Sequence, residues 1–130
     1  FLSAMSIVVD LWIGNYMGTI MSWLYLSLAI LFEMGGTVAL KMSNGFSVLG
    51  PSVVVVVFYG LSILFLALVL KTMDVGTAYA VWAGLGTALV VIVGIFYFDE
   101  PATILRLFFL GMIIAGVVGL HLAERSPGTA

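Results

Sequence analysis

Four long runs almost free of charge dictate what this chain can fold into. A membrane-crossing helix needs roughly 20 mostly apolar residues. The charged residues divide most of the chain into four such runs, about 23–40, 53–70, 75–98 and 102–122. The second and third carry no charge, the first holds Glu33 alone, and the fourth has Arg106 near its start and His121 near its end. Arg106 and His121 sit where a polar tip can reach the interface. Hydrophobic residues make up 64% of the chain and charged ones 8%, against about 25% charged in soluble domains. A water-soluble fold of this size could not hide that much apolar surface. The connections "KMSNGFSVLGPS", "KTMDVG" and "FDEPA" are short and carry Asn-Gly and Gly-Pro turn signals. Short links place consecutive spans antiparallel. The expected fold is an all-α integral membrane protein, a bundle of four transmembrane helices spanning residues 23–125, with a flexible tail at 126–130.

Residues 1–22, "FLSAMSIVVDLWIGNYMGTIMS", fit this plan less well. Asp10 and Asn15 interrupt the apolar run, and the basic start and cleavage site of a signal peptide are missing. The segment reads as a non-essential extension ahead of Met21 rather than an extra helix.

Several function classes are excluded. There is no cysteine, so disulfides, thiolate metal sites and cysteine nucleophiles are ruled out. One histidine makes a metal site improbable, and no cofactor motif is visible. Net charge is −2 with no basic patch, which gives nucleic acid nothing to bind. No nucleophile–base pair or phosphate-binding glycine loop is present, so an enzyme is not expected.

Lys and Arg near span ends set orientation. With residues 1–22 outside the membrane, Lys41 and Arg106 fall on one side, Lys71 and Arg125 on the other. Either four charges are too few to fix an orientation, or the chain inserts both ways and pairs as an antiparallel dimer. Many transporters rock two inverted halves about a central site, and this chain has room for one half. A partner that is not identical, fixed in the opposite orientation, is the other way to supply the second half.

A charge at mid-membrane costs on the order of 3 kcal/mol, so Glu33 is a functional candidate by default. Loss of hydration brings proton exchange at such a carboxyl within reach of neutral pH. A cationic substrate favours its ionised form, so proton and cation compete for one group. The bland alternative is a protonated glutamic acid that only packs helices. Ala29, Gly36 and Thr37 share the face of Glu33 by helical spacing, and their small size leaves room beside the carboxylate or allows close helix packing. Tyr79, Trp82 and Gly86 form one stripe on the third span. Aromatic faces attract organic cations, although Tyr and Trp are also interface anchors. Tyr59 and Ser62 share a face of the second span, where Ser often bonds its own backbone. Gly84, Gly86 and Gly94 on the third span and Gly111, Gly116 and Gly119 on the fourth permit close contact. The fourth-span set is expected to be a dimer contact.

The stretches "AILFEMGGTVALKMSNGFSVLGPS" and "GTAYAVWAGLG" carry the patterns E-x-x-G-T-x-x-x-K-x-S-x-G-F and G-x-A-Y-A-x-W-x-G-x-G. Together they resemble the small multidrug resistance transporters over about residues 23–125. The resemblance implies a proton-coupled exporter in a bacterial inner membrane, working by alternating access as an antiparallel dual-topology homodimer. It implies that Glu33 is the shared proton and substrate carboxylate. Tyr79 and Trp82 match the family's aromatic substrate-site residues, and Tyr59 and Ser62 match positions near that site.

One branch of that family exports quaternary ammonium compounds and other lipophilic cations, another guanidinium-type ions. Gly36 and Thr37 look like the multidrug branch, since the guanidinium branch typically has Trp where Gly36 stands. "FDEP" and "LRLFFLGMIIAGVVGL" look like the guanidinium branch, and Ala83 stands where several multidrug members have Ser. The first span touches substrate and favours the multidrug reading, with a guanidinium/proton exchanger as the alternative. A non-transporting assembly subunit or passive pore is the alternative of another class.

Overall fold

A computed structural model describes residues 2–124; Phe1, Arg125 and the 126–130 tail lie outside the described residues. The described chain is all-α, with helices α1 (Leu2–Met42), α2 (Leu49–Val69), α3 (Val75–Tyr97) and α4 (Ile104–Glu124). All four are long and apolar enough to cross a membrane. α2, α3 and α4 have 21, 23 and 21 residues. At 1.5 Å per residue that is about 32–35 Å, close to the hydrocarbon thickness of a bilayer.

α1 departs from the expected boundaries. It runs 41 residues without a break at residue 22, about 60 Å. Asp10 and Asn15 do not interrupt it, because an isolated polar residue on an exposed helix face costs little helix propensity and no proline intervenes. Residues 2–21 extend the helix beyond the bundle and are almost wholly exposed, with Trp12 and Tyr16 in ring contact at 4.6 Å. Ser22 is the first buried residue of α1.

The α1–α2 turn follows the Asn-Gly signal. Asn44, Gly45 and Phe46 all have positive φ, 48°, 68° and 65°, the region Asn and Gly tolerate best. Ser43, fully buried, holds the turn: its hydroxyl donates to the Leu40 carbonyl at 2.7 Å and accepts from the Phe46 N–H at 3.1 Å. α2 begins at Leu49 rather than near residue 53. Gly50 and Pro51 therefore lie in its first turn instead of the loop. Proline is tolerated there because that N–H has no helical partner to lose.

The core lies where α1, α2 and α3 meet, at Leu26, Ala29, Ile30, Leu66, Val69, Ala78 and Val81. α4 packs on α3, yet none of its residues is buried. The two helices come close at Gly84, where a Cβ would overlap the Val117 side chain.

Two further ties fix α4, one at each end of the bundle. At one end the Glu100 carboxylate, in the α3–α4 loop, accepts Lys41 of α1 and Arg106 of α4, each at 2.8 Å. Arg106 also donates to the Pro101 carbonyl at 2.9 Å, and Lys41 lies 4.4 Å from the centre of the Phe98 ring. Lys41 and Arg106 thus share a side of the bundle, as the charge count expects. Hydrogen bonds from Arg106, then from Lys41, hold the Glu100 carboxyl below its ordinary pKa. At the other end Trp23 of α1 meets His121 of α4 edge-on at 5.3 Å.

Candidate functional site

The site is built where three helices cross at the level of Glu33. Gly35 and Gly36 let α2 approach α1 closely. A Cβ on Gly35 would lie 2.6 Å from the Phe58 ring, and one on Gly36 would lie 3.4 Å from both Phe58 and Tyr59. That approach sets the Tyr59 hydroxyl against the Thr37 hydroxyl, and the two share a hydrogen bond of 2.6 Å. Gly36 is buried and opens no void beside the carboxylate. It brings Tyr59 in instead. Gly35, its neighbour, contributes as much and was not singled out by spacing, since the adjacent glycine lies off the face of Glu33.

One turn before Glu33, the buried Ser62 hydroxyl donates to the Ala29 carbonyl across the α1–α2 interface at 2.7 Å. The Trp82 indole N–H donates to Ser62 at 3.1 Å. Ser62 therefore does not bond its own helix. It links α3 to α1 and fixes the plane of Trp82. Tyr79 stands against Trp82, ring centres 5.4 Å apart, and is 57% exposed. The aromatic pair thus has one member anchored and one free to meet a ligand.

Glu33 itself points at α3. A Cβ on Gly86 would overlap the Glu33 carboxylate, so Gly86 is the residue that makes room for it. One carboxylate oxygen, Oε2, is buried and has no hydrogen-bond partner among the described residues. A buried carboxylate oxygen left unpaired carries a large desolvation cost. A proton or a cation at that oxygen relieves it. An apolar groove of about 290 Å³, lined by Ile30, Leu31, Leu85 and Leu89 among others, opens between α1 and α3.

Gly111, Gly116 and Gly119 lie on exposed α4, and a Cβ on any of them would meet nothing within 4 Å. Among the described residues, nothing packs against the space a side chain would fill at these three positions. Among the described residues no group of three His, Cys, Asp or Glu could hold a metal.

Comparison with known proteins bears on what this cluster does. A family model described as Small Multidrug Resistance protein matches residues 21–113. An uncharacterized membrane protein of Bacillus subtilis, YvaE, is 50% identical over 104 residues, 80% of this chain and 87% of its own length. A protein of Yersinia pseudotuberculosis named guanidinium exporter is 43% identical over 80% of this chain and 100% of its own. The Escherichia coli quaternary ammonium compound-resistance protein QacE is 41% identical over 80% of this chain and 94% of its own. With four apolar helices and a half-buried carboxylate where three of them cross, this chain belongs to the small multidrug resistance family, multi-pass transporters of the bacterial inner membrane.

Proposed function

We propose that the protein is a proton-coupled antiporter of organic cations, with Glu33 binding either a proton or the substrate. The observation that carries this is the unpartnered Oε2 of Glu33, seated against Gly86 and near the anchored Trp82. A carboxylate with no internal cation has its charge free for an external one. Proton and cation then exclude each other at one group, and that exclusion is all coupling requires. Trp82 and Tyr79 supply aromatic faces for the cation. The groove between α1 and α3 supplies apolar contact. Two copies in opposite orientation would bring two glutamates into one site, with the exposed glycines of α4 offering a separate contact face.

Quaternary ammonium and other lipophilic cations are the preferred substrates. The support is Gly36: a glycine stands where the guanidinium branch typically has a constricting tryptophan, so that ring is absent here. A guanidinium/proton exchanger is the second reading, favoured by the relatives named guanidinium exporter and by the "FDEP" loop, whose Glu100 ties α1 to α4. Uptake driven by a proton gradient in proteoliposomes, with tetraethylammonium and guanidinium compared in the same preparation, separates the two. Faster coupled transport of the quaternary ion is expected; preference for guanidinium would reassign the branch. Absence of proton counter-movement with either ion would contradict antiport altogether.

A further inference from the structure

The end of the bundle opposite Glu100 holds a cavity of about 250 Å³, bounded by Trp23, Asp74, Thr77, His121 and Glu124. Four features set it apart from an ordinary helix-end surface. Thr77 is 3% exposed, and its hydroxyl has no hydrogen-bond partner among the described residues. Buried hydroxyls are normally paired, and an orphan is costly. Asp74 stands at the N-cap of α3, where aspartate usually bonds the free N–H groups, yet its side chain makes no capping bond. Its carboxylate is left for something else. Glu124 lies in the last described turn of α4 and also borders the cavity. Neither acid has an ion pair among the described residues, and no described Lys or Arg lines the cavity. The Trp23 indole, held edge-on by His121, forms another wall beside Thr72 and Met73.

Two unpaired carboxylates, an indole and an orphan hydroxyl around a space of this size are the chemistry that receives a small organic cation. We propose that this vestibule is a second, low-affinity cation site, which captures an organic ammonium or guanidinium ion at the mouth of the transporter. Trp23 precedes Glu33 by ten residues on α1, about 15 Å along the helix axis. A captured ion therefore waits about three helical turns from the central carboxylate. Sodium, strongly hydrated and without apolar surface, gains little from the indole and is held poorly. The inference takes the class of cation from the proposed transport function; the site itself rests on the vestibule's own residues.

The test uses the full-length chain carrying Glu33→Gln in lipid nanodiscs, so that the central carboxylate no longer contributes. The NMR signal of the Trp23 indole is followed during titration with tetramethylammonium, and separately with guanidinium, with sodium chloride as the ionic-strength control. A saturable shift with the organic cations, weaker with sodium, is expected. Asp74→Asn combined with Glu124→Gln should lower that affinity about fivefold, the scale of exposed charge pairs. No shift, an equal shift with sodium, or a shift unchanged in the double variant would overturn the site. Arg125→Gln serves as a further control. Unchanged affinity supports an external cation, whereas a shift seen only in that variant makes the chain's own guanidinium the occupant and overturns the proposal. Transport by the unmodified protein is measured alongside. Transport without the vestibule shift defeats this inference alone, and the shift without transport defeats the antiport reading alone.

Discussion

Glu33 and Glu100 both meet α3 at a glycine, Gly86 and Gly94, two positions where a Cβ would collide with a carboxylate. Their surroundings differ in the one respect that matters for transport. Glu100 lies in a loop and is satisfied within the chain, by Arg106 and Lys41. Glu33 lies inside the bundle with a buried oxygen that nothing in the described chain satisfies. One carboxylate has spent its charge on holding helices together. The other keeps its charge for a partner that comes and goes. The same side chain against the same kind of helix face thus becomes a fastener or a binding site according to whether internal cations reach it.

The comparison can be broken most severely at Glu33. Glu33→Gln keeps the shape and removes the titrating group, so proton-driven uptake in proteoliposomes should vanish; coupled uptake surviving in this variant would sink the mechanism. Gly86→Ala comes next. The added methyl displaces the carboxylate, and small displacements of a reacting group cost on the order of tenfold or more. Transport rates should fall by about that factor while the protein still purifies as a folded species. Ser62→Ala strips the Trp82 N–H of its acceptor. A lost bond with a partner left buried costs about 1–3 kcal/mol, visible as weaker substrate affinity and a changed Trp82 fluorescence. Tyr59→Phe removes only the Thr37 bond; cross-helix bonds in membranes average about 0.6 kcal/mol, a factor of about three.

The smallest effect is expected at Glu100, whose partners, exposed Lys41 and half-exposed Arg106, are screened by solvent. Glu100→Gln should leave substrate affinity nearly unchanged and loosen the Ile104 end of α4, read by hydrogen exchange there. The pH dependence of this tie has a definite sign. The folded pKa of Glu100 lies below its ordinary value of 4.5, so the tie is intact at neutral pH. It persists as pH falls through the ordinary carboxylate range and is lost only below it. Loosening already at pH 6 would show that the tie depends on some other group.

Much of this site is legible in the sequence because the costly residues announce themselves. A carboxylate in an apolar run, and Tyr59, Thr37, Ser62, Tyr79 and Trp82 at helical spacings around it, are identifiable without coordinates. Which of them touch is not, since contacts between helices depend on rotation and depth. Helical spacing assigned the space beside Glu33 to Gly36, whereas Gly86 of α3 supplies it. The Glu100 tie was hidden for the same reason: its three residues lie on three different segments, and charges at span ends read as interface residues. Two boundaries were misplaced by local rules. Polar residues at 10 and 15 suggested a break that an exposed helix does not need, and Pro51 suggested a loop where a first helical turn accepts it. The vestibule residues were invisible one by one, since an aspartate, a glutamate and a threonine at helix ends are ordinary.

The most direct test of a single carboxylate shared by proton and cation is the pH dependence of cation binding to the unmodified protein, measured by titration calorimetry with a quaternary ammonium ion. Competition at Glu33 predicts that affinity falls about tenfold for each pH unit below the Glu33 titration and levels off above it, and that this dependence disappears in Glu33→Gln. Binding of equal strength across that range would contradict the account.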